Sequence, residues 1–412
     1  MPLTALVRQL QQVPLTAEVA DRMGRSERLR LGGGGRAARA LVSSALAGAR
    51  QAPLLVLVPT LEEAGRWAAL LELMGWKSCQ LYPTSEGSPY EAVDTTSEIT
   101  WGQLQVLSEL LDLRAAAGEQ TSSAVSLAIV ATERALQPHL PPPQALQAQC
   151  LSLRKGDSFD LEQLGETLTR LGYERVSSIE QEGSWSRRGD IIDVFPVSSE
   201  LPVRLEFFGE ELEKLREFDP ATQRSLDAIE VVRLTPSGYG PLIADALREA
   251  MPDGLEALLP PQALEQLLDG GSPDGLRRLM GLAWGRPASL LDYLPPQTLV
   301  AIDERRAALA HGQQWFDHVL SHHSETEAEL GAPLPAVLHR TPAVALTEAS
   351  EAFEGFDLAE LHESDNHANS FDLASRSVPA YPNAFGKLAG LIKDFQRERV
   401  SVWLLSAQPS RA

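Results

Sequence analysis

Residues Gly172–Arg224, GYERVSSIEQEGSWSRRGDIIDVFPVSSELPVRLEFFGEELEKLREFDPATQR, set apart one part of the chain from the rest. Their apolar residues come in short runs: Ile191, Ile192, Val194 and Phe195, then Val203, Leu205 and Phe207, bounded by Gly189, Pro196, Pro202 and Gly209. β-Branched and aromatic residues in runs this short, punctuated by Gly and Pro, specify strands joined by turns. In the second run Val203, Leu205 and Phe207 alternate with Arg204, Glu206 and Phe208, which predicts one buried and one wet face. Arg175, Arg187 and Arg188 then fall near the turns of a small sheet, outside its core. A guanidinium in such a place can fork onto carboxylates of a partner protein.

Outward from this stretch the pattern changes. Upstream, Leu29–Leu31 leads into Gly32–Gly35, a helix-like ARALVSSALAGA, the apolar run Leu54–Val58, a helix over 61–74, a strand ending at Tyr82-Pro83, a helix over 98–113 and the run 127–130. Apolar strands alternating with amphipathic helices predict a parallel sheet covered on both faces. The prolines of PHLPPPQ mark the first boundary, because proline continues neither a helix nor a central strand. Downstream the chain turns helical around one strand, Leu299–Asp303, which predicts a return to the first lobe. A composition shift at Pro333-Leu-Pro335 suggests a last region with a helix over 388–399 and a strand over 400–405. The expected domains are an α/β lobe at 1–145, an inserted β-rich domain at 146–236, a helical segment at 237–325 completing the lobe, and a further small α/β domain at 326–412. Because that last unit stops half-way through a βα repeat, the chain is expected to be a fragment of a longer protein.

The order of motifs carries a resemblance. Arg187-Arg188-Gly189-Asp190 is followed by a strand to Phe195-Pro196, by Val203–Gly209 and by Phe218-Asp-Pro-Ala-Thr-Gln223. Elsewhere stand Tyr82–Tyr90 with Trp101–Leu107, and Ile129–Thr132 with Ala135-Leu136 and prolines 141–143. Together these resemble UvrB and the N-terminal part of the bacterial transcription-repair coupling factors, a family also called Mfd. The resemblance implies a RecA-like, degenerate helicase lobe with an inserted domain that docks UvrA. The arginines at the two matching motif positions, Arg175 and Arg188, are the implied UvrA contacts, with Phe195 as a third. For the complete protein the resemblance implies a cytoplasmic, ATP-driven translocase on duplex DNA that displaces stalled RNA polymerase, with ATP and magnesium served by a motor downstream of this chain. No cofactor and no membrane partner is expected for the residues here.

The chemistry visible in the residues agrees with an adaptor. A phosphate-cradling loop needs glycines, a lysine for the terminal phosphates and a Ser/Thr hydroxyl for magnesium. Gly32, Gly33, Gly34 and Gly35 are present, but Arg36 follows and no hydroxyl stands beside it. Such a loop is expected to be a relic, with no catalytic residue. An active UvrB-like ATPase and a purely structural fold are the alternatives. Leu299–Glu304 mimics a Walker B strand, yet has no lysine-bearing loop to work with. His318 and His322 share a helix face without a third ligand, so no metal is expected; His362–His367 lies in a polar, acidic stretch expected to be a loop. At 412 residues and a net charge of -20, the chain lacks the broad basic field of a dedicated DNA-binding domain. Two distant cysteines, Cys79 and Cys150, fit a reducing compartment, and no run is long enough for a signal peptide or membrane span.

Overall fold

Leu54–Val58 is buried at every position, because it becomes a central strand of a parallel sheet with cores on both faces. The computed structural model describes residues 3–23, 28–91, 97–116, 127–251, 254–269, 273–362, 369–375, 384–400 and 402. Four strands come first: β1 (Leu29–Gly32), β2 (Leu54–Val58), β3 (Ser78–Leu81) and β4 (Leu127–Thr132). Eight follow in the inserted part: β5 (Leu151–Arg154), β6 (Glu174–Arg175), β7 (Ser184–Arg188), β8 (Ile191–Phe195), β9 (Val203–Phe208), β10 (Glu211–Phe218), β11 (Ser225–Ile229) and β12 (Val231–Leu234). The chain then returns through β13 (Leu299–Asp303), β14 (Gly355–Leu358) and β15 (Ser370–Asp372).

The first sheet has seven strands in the order β15-β1-β14-β13-β2-β4-β3, and its recorded pairings are parallel. Alternation along the strands divides the core. Leu54, Val56, Ala128, Val130, Leu299 and Ala301 pack with Trp67 and the helix Arg36–Arg50 on one face. Leu55, Leu57, Ile129, Val300 and Ile302 pack on the other, with Tyr82, Tyr293 and the helix Gly240–Ala250. Local signals set the helix ends. Thr60 caps Leu61–Met74 by accepting from the Glu63 amide at 3.2 Å, and Gly75 ends that helix at φ 93. This is a RecA-like α/β lobe.

The inserted part has its own core of Leu161, Leu164, Leu168, Trp185, Ile192, Val194, Leu205 and Phe207 between the helix Leu161–Arg170 and a six-stranded sheet, order β11-β10-β9-β8-β7-β6. A separate β12–β5 ribbon joins it. Two two-residue turns fix the register. Gly189 (φ 63) and Gly209 (φ 65) take the positive φ that a hairpin matched to strand twist demands at its first turn residue. Gly165 lets the helix approach the sheet, since a Cβ there would lie 2.7 Å from the Trp185 ring.

The expectation of a separate domain opening at 326 is corrected by the sheet itself. β14 lies between β1 and β13, and β15 pairs with β1, so both belong to the lobe. The prolines at 333 and 335 are only a turn after the long helix Arg305–Leu330, which ends at Gly331 with φ 64. The division of the chain falls at Leu373/Ala374. In the second unit the helix Phe385–Arg397 is described; most of the expected strand over 400–405 and most of the His362–His367 loop lie outside the described residues. Among the described residues no helix is long and apolar enough to cross a membrane.

Candidate functional site: a glycine loop and an open arginine face

The glycines at the end of β1 stand where an α/β sheet presents a helix N-terminus to phosphate, outside the carboxyl ends of its strands. Here the chain packs against the first three glycines, while a Cβ on Gly35, the N-cap of the helix, would meet nothing within 4 Å. Leu373 donates its amide to Gly32 O at 2.8 Å, and a Cβ on Gly33, whose φ is 78, would collide with Asp372 Oδ1. His362 Cα lies 2.8 Å from where a Cβ on Gly32 would stand. Arg36 turns away to Glu63, at 2.6 Å. One turn further along the helix, Arg39 is 3% exposed and reaches Asp303 at 2.5 Å and Glu304 at 2.7 Å. Trp67 Nε1 donates to the other Asp303 oxygen at 2.8 Å. Burial pushes the Asp303 carboxyl up to about 6, outweighing the pull of Arg39 and the Trp67 bond. Glu304 sits at φ 47 and also accepts the Glu360 amide at 2.7 Å. The two acids of the Walker B mimic therefore hold an arginine. A cavity of about 600 Å³ remains beside them, lined in part by Arg30, Arg36, Arg39, Glu63 and Glu304. With no lysine, no adjacent hydroxyl and its acids engaged, this donor set does not fit a magnesium nucleotide.

The inserted domain treats its arginines differently. Arg175 and Trp185 are paired across β6 and β7, so they share the helix-side face, and the Arg175 guanidinium lies 5.3 Å from the Trp185 ring centroid. Arg188 is three residues beyond Trp185 on the same strand and therefore points to the opposite, outer face. Both are exposed. Arg188 donates to Ser177 O at 3.0 Å, and Arg187 to Gly189 O at 3.1 Å. Among the described residues none of Arg175, Arg187 and Arg188 has a recorded carboxylate partner. The structure thus puts Arg175 and Arg188 on one edge but on different faces.

Phe195, implied as a third partner contact, needs correction: it is 4% exposed and packs with Ile179 and Phe218. The segment before β7 and the turn after β10 fold over that end of the outer face. Gln223 ties them by donating to Ile179 O at 2.9 Å and Pro220 O at 2.8 Å. Beside it Arg204 forks onto Asp193 at 2.8 and 2.9 Å and lies 4.8 Å from the Phe218 ring centroid.

The Tyr82–Tyr90 motif is a buried polar knot. Tyr82 Oη lies 2.7 Å from His139 Nε2, whose other nitrogen faces Gln137 O at 2.6 Å, and burial lowers this imidazole to about 4. Tyr90 Oη lies 2.8 Å from His339 Nδ1, with His323 stacked edge-on. His318 and His322 have ring centroids 5.9 Å apart, and among the described residues no group of three or more His, Cys, Asp and Glu is placed to hold a metal. Burial raises the Cys79 thiol to about 12 and Cys150 to about 11, so neither is a ready thiolate.

Residues 151–239 match the family model of the UvrB interaction domain, and residues 377–412 that of the cyanobacterial Mfd Rossmann-like domain. Over 93% of its length the chain is 27% identical to the transcription-repair-coupling factor of Myxococcus xanthus. It is 30% identical over 73% of its length to that of Mycobacterium bovis, and 25% identical over 64% to that of Escherichia coli. The chain belongs to the transcription-repair coupling factor family. It spans 33% of the Myxococcus protein and 25% of the Mycobacterium one. Sequence reasoning named Arg175, Arg188 and the glycine loop and did not single out Arg39 or Asp372, which the structure places beside that loop. Arg39 lies in an ordinary amphipathic helix, and its only signal is a charge at the third position beyond Arg36, on the face that the helix buries.

Proposed function

We propose that this chain is the UvrA-recruiting adaptor part of a transcription-repair coupling factor and does not hydrolyse ATP. The observation that carries the reading is Arg188, exposed on the outer face of the inserted sheet and bonded only to a backbone carbonyl among the described residues, within the segment matched by the UvrB interaction domain. A cation without a counter-ion in a chain of net charge -20 is available to a partner's carboxylate. Arg175 serves the same partner from the helix-side face. In the complete protein, which is cytoplasmic, ATP and magnesium belong to a motor outside these residues that translocates on duplex DNA and displaces stalled RNA polymerase. The lobe's part is structural: Arg39 and Asp372 supply from within the charges that a bound magnesium nucleotide would bring.

Two measurements test the reading. UvrA binding by surface plasmon resonance is expected for wild type and reduced about tenfold or more by Arg188→Ala, and less by Arg175→Ala because the Arg175 guanidinium is already engaged on the Trp185 ring. Absence of wild-type binding overturns recruitment. Calorimetric titration with ATP and magnesium is expected to show no saturable binding; micromolar binding lost in Arg36→Ala would restore the active-ATPase alternative.

A further inference from the structure

Phe208 closes β9 with 80% of its surface exposed, an unusual state for a large aromatic side chain at a strand end. Its face is known from the register. Val203, Leu205 and Phe207 are buried, so Arg204, Glu206 and Phe208 share the outer face. Glu206 pairs with Ile191, and Ile191 with Arg188, across β9, β8 and β7. Ile191 is itself 37% exposed. The open end of the outer face thus presents Arg188 opposite Ile191, with Phe208 two residues beyond Glu206 on the next strand and opposite Glu211, while its other end is covered through Ile179, Phe195 and Phe218.

Charge identifies what fits there. The cross-strand row is Arg188, Ile191, Glu206 and Lys214. Lys214 lies 3.8 Å from Glu206 and 3.9 Å from Glu213, so among the described residues Arg188 is the charge of the row with no recorded counter-ion. A matching partner surface offers an apolar pocket with a carboxylate beside it. A second copy of this chain is a poor fit, because two chains of net charge -20 repel.

We propose that UvrA docks on this open outer face, with Phe208 as the aromatic anchor, Ile191 as its apolar floor and Arg188 as the charged rim. The inference rests on the recruitment reading and adds the face and the anchor. Exposed, centrally placed aromatics that become desolvated are the residues on which interface affinity concentrates.

The experiment is UvrA binding by surface plasmon resonance to the full chain as wild type, Phe208→Ala, Phe208→Asp, Ile191→Ser and, as a control, Val344→Ser, whose side chain is 47% exposed on the lobe. Phe208→Ala is expected to weaken binding about 10- to 100-fold, chiefly by faster dissociation, and Phe208→Asp to abolish it. Ile191→Ser loses less, and the control binds as wild type. Thermal melts of all variants are expected to match, because the mutated atoms are largely in water. Wild-type binding with unchanged affinity in both Phe208 variants overturns this docking face while leaving recruitment standing; no wild-type binding overturns both. Light scattering adds one further outcome. A concentration-dependent dimer that Phe208→Asp dissociates would assign the face to self-association and overturn the proposal.

Discussion

Arg39 in the lobe and Arg188 in the inserted domain stand in opposite electrostatic states. Arg39 is 3% exposed and bonds two carboxylates; Arg188 is exposed and bonds a backbone carbonyl. The difference follows from burial. A charge taken out of water must be met by an opposite charge or it unfolds its surroundings, whereas an exposed charge is satisfied by solvent and stays free for a partner. The lobe repeats the first pattern at Arg36–Glu63 and at Asp357, which Arg28 reaches at 3.0 Å and Arg305 at 3.4 Å. Ion-pairing beside the glycine loop is thus internal, and so is the Arg204–Asp193 pair of the inserted domain, whereas Arg188 has no recorded carboxylate partner among the described residues.

The contrast is broken most directly at Arg39. Arg39→Met strands Asp303 in a buried site and is expected to cost about 3–5 kcal/mol, read as a large fall in the melting temperature of the lobe. Asp303→Asn added to it should recover part of that loss. If Arg39→Met melts as wild type, the pair is not a structural substitute for a ligand.

Glu133 sharpens the same point through pH. It is 3% exposed, and burial raises its carboxyl to about 7 despite the Gln137 bond and the nearby Arg134 and Arg340. The folded state therefore holds a proton that the unfolded chain has released above pH about 4.5. Stability contributed by this group is full below pH 4.5 and is lost as pH rises through about 7, an effect on the order of 3 kcal/mol. Asp303 acts in the same direction over its lower window, from 3.8 to about 6. Glu133→Gln is expected to flatten the fall in melting temperature between pH 5 and 8; an unchanged slope would assign the pH dependence elsewhere.

Gly33→Ala asks whether the glycine loop is filled. With φ 78 and Asp372 against it, an added methyl is expected to cost about 2 kcal/mol in a thermal melt of the chain alone. An empty cradle would register only the backbone strain, about 1 kcal/mol. The smallest effect belongs to the open face: Arg188→Ala should alter stability by no more than about 0.5 kcal/mol while weakening UvrA binding. Duplex DNA binding, followed by fluorescence anisotropy, should be weak and lack a steep salt dependence, as the acidic balance requires.

Much of this was legible in the residues, for reasons that differ by element. Leu54–Val58 and Leu127–Thr132 declare themselves because a strand buried on both faces must be apolar throughout. β9 declares its two faces by alternation, and Gly189 and Gly209 mark its neighbouring turns. β14 and β15 were illegible, since four and three residues including Asp357, Ser370 and Asp372 carry no period. They are strands because β1 and β13 offer unpaired edges, and Gly355 permits the approach: a Cβ there would collide with Val300 O.

The sequence by itself determined the class of each region, because hydrophobic period, turn glycines and the absence of a lysine after Gly32–Gly35 are local facts. Tertiary structure alone decided which charges meet. Arg39 and Asp303 are 264 positions apart, and whether an arginine is paired or free depends on which distant carboxylate the fold delivers within about 3 Å. The same holds for Phe195 and Phe208, two aromatics on the outer face of one sheet. A folded-over loop buries the first at 4% exposure, and nothing in the described chain covers the second, because burial is set by the neighbours that arrive and not by the residue itself.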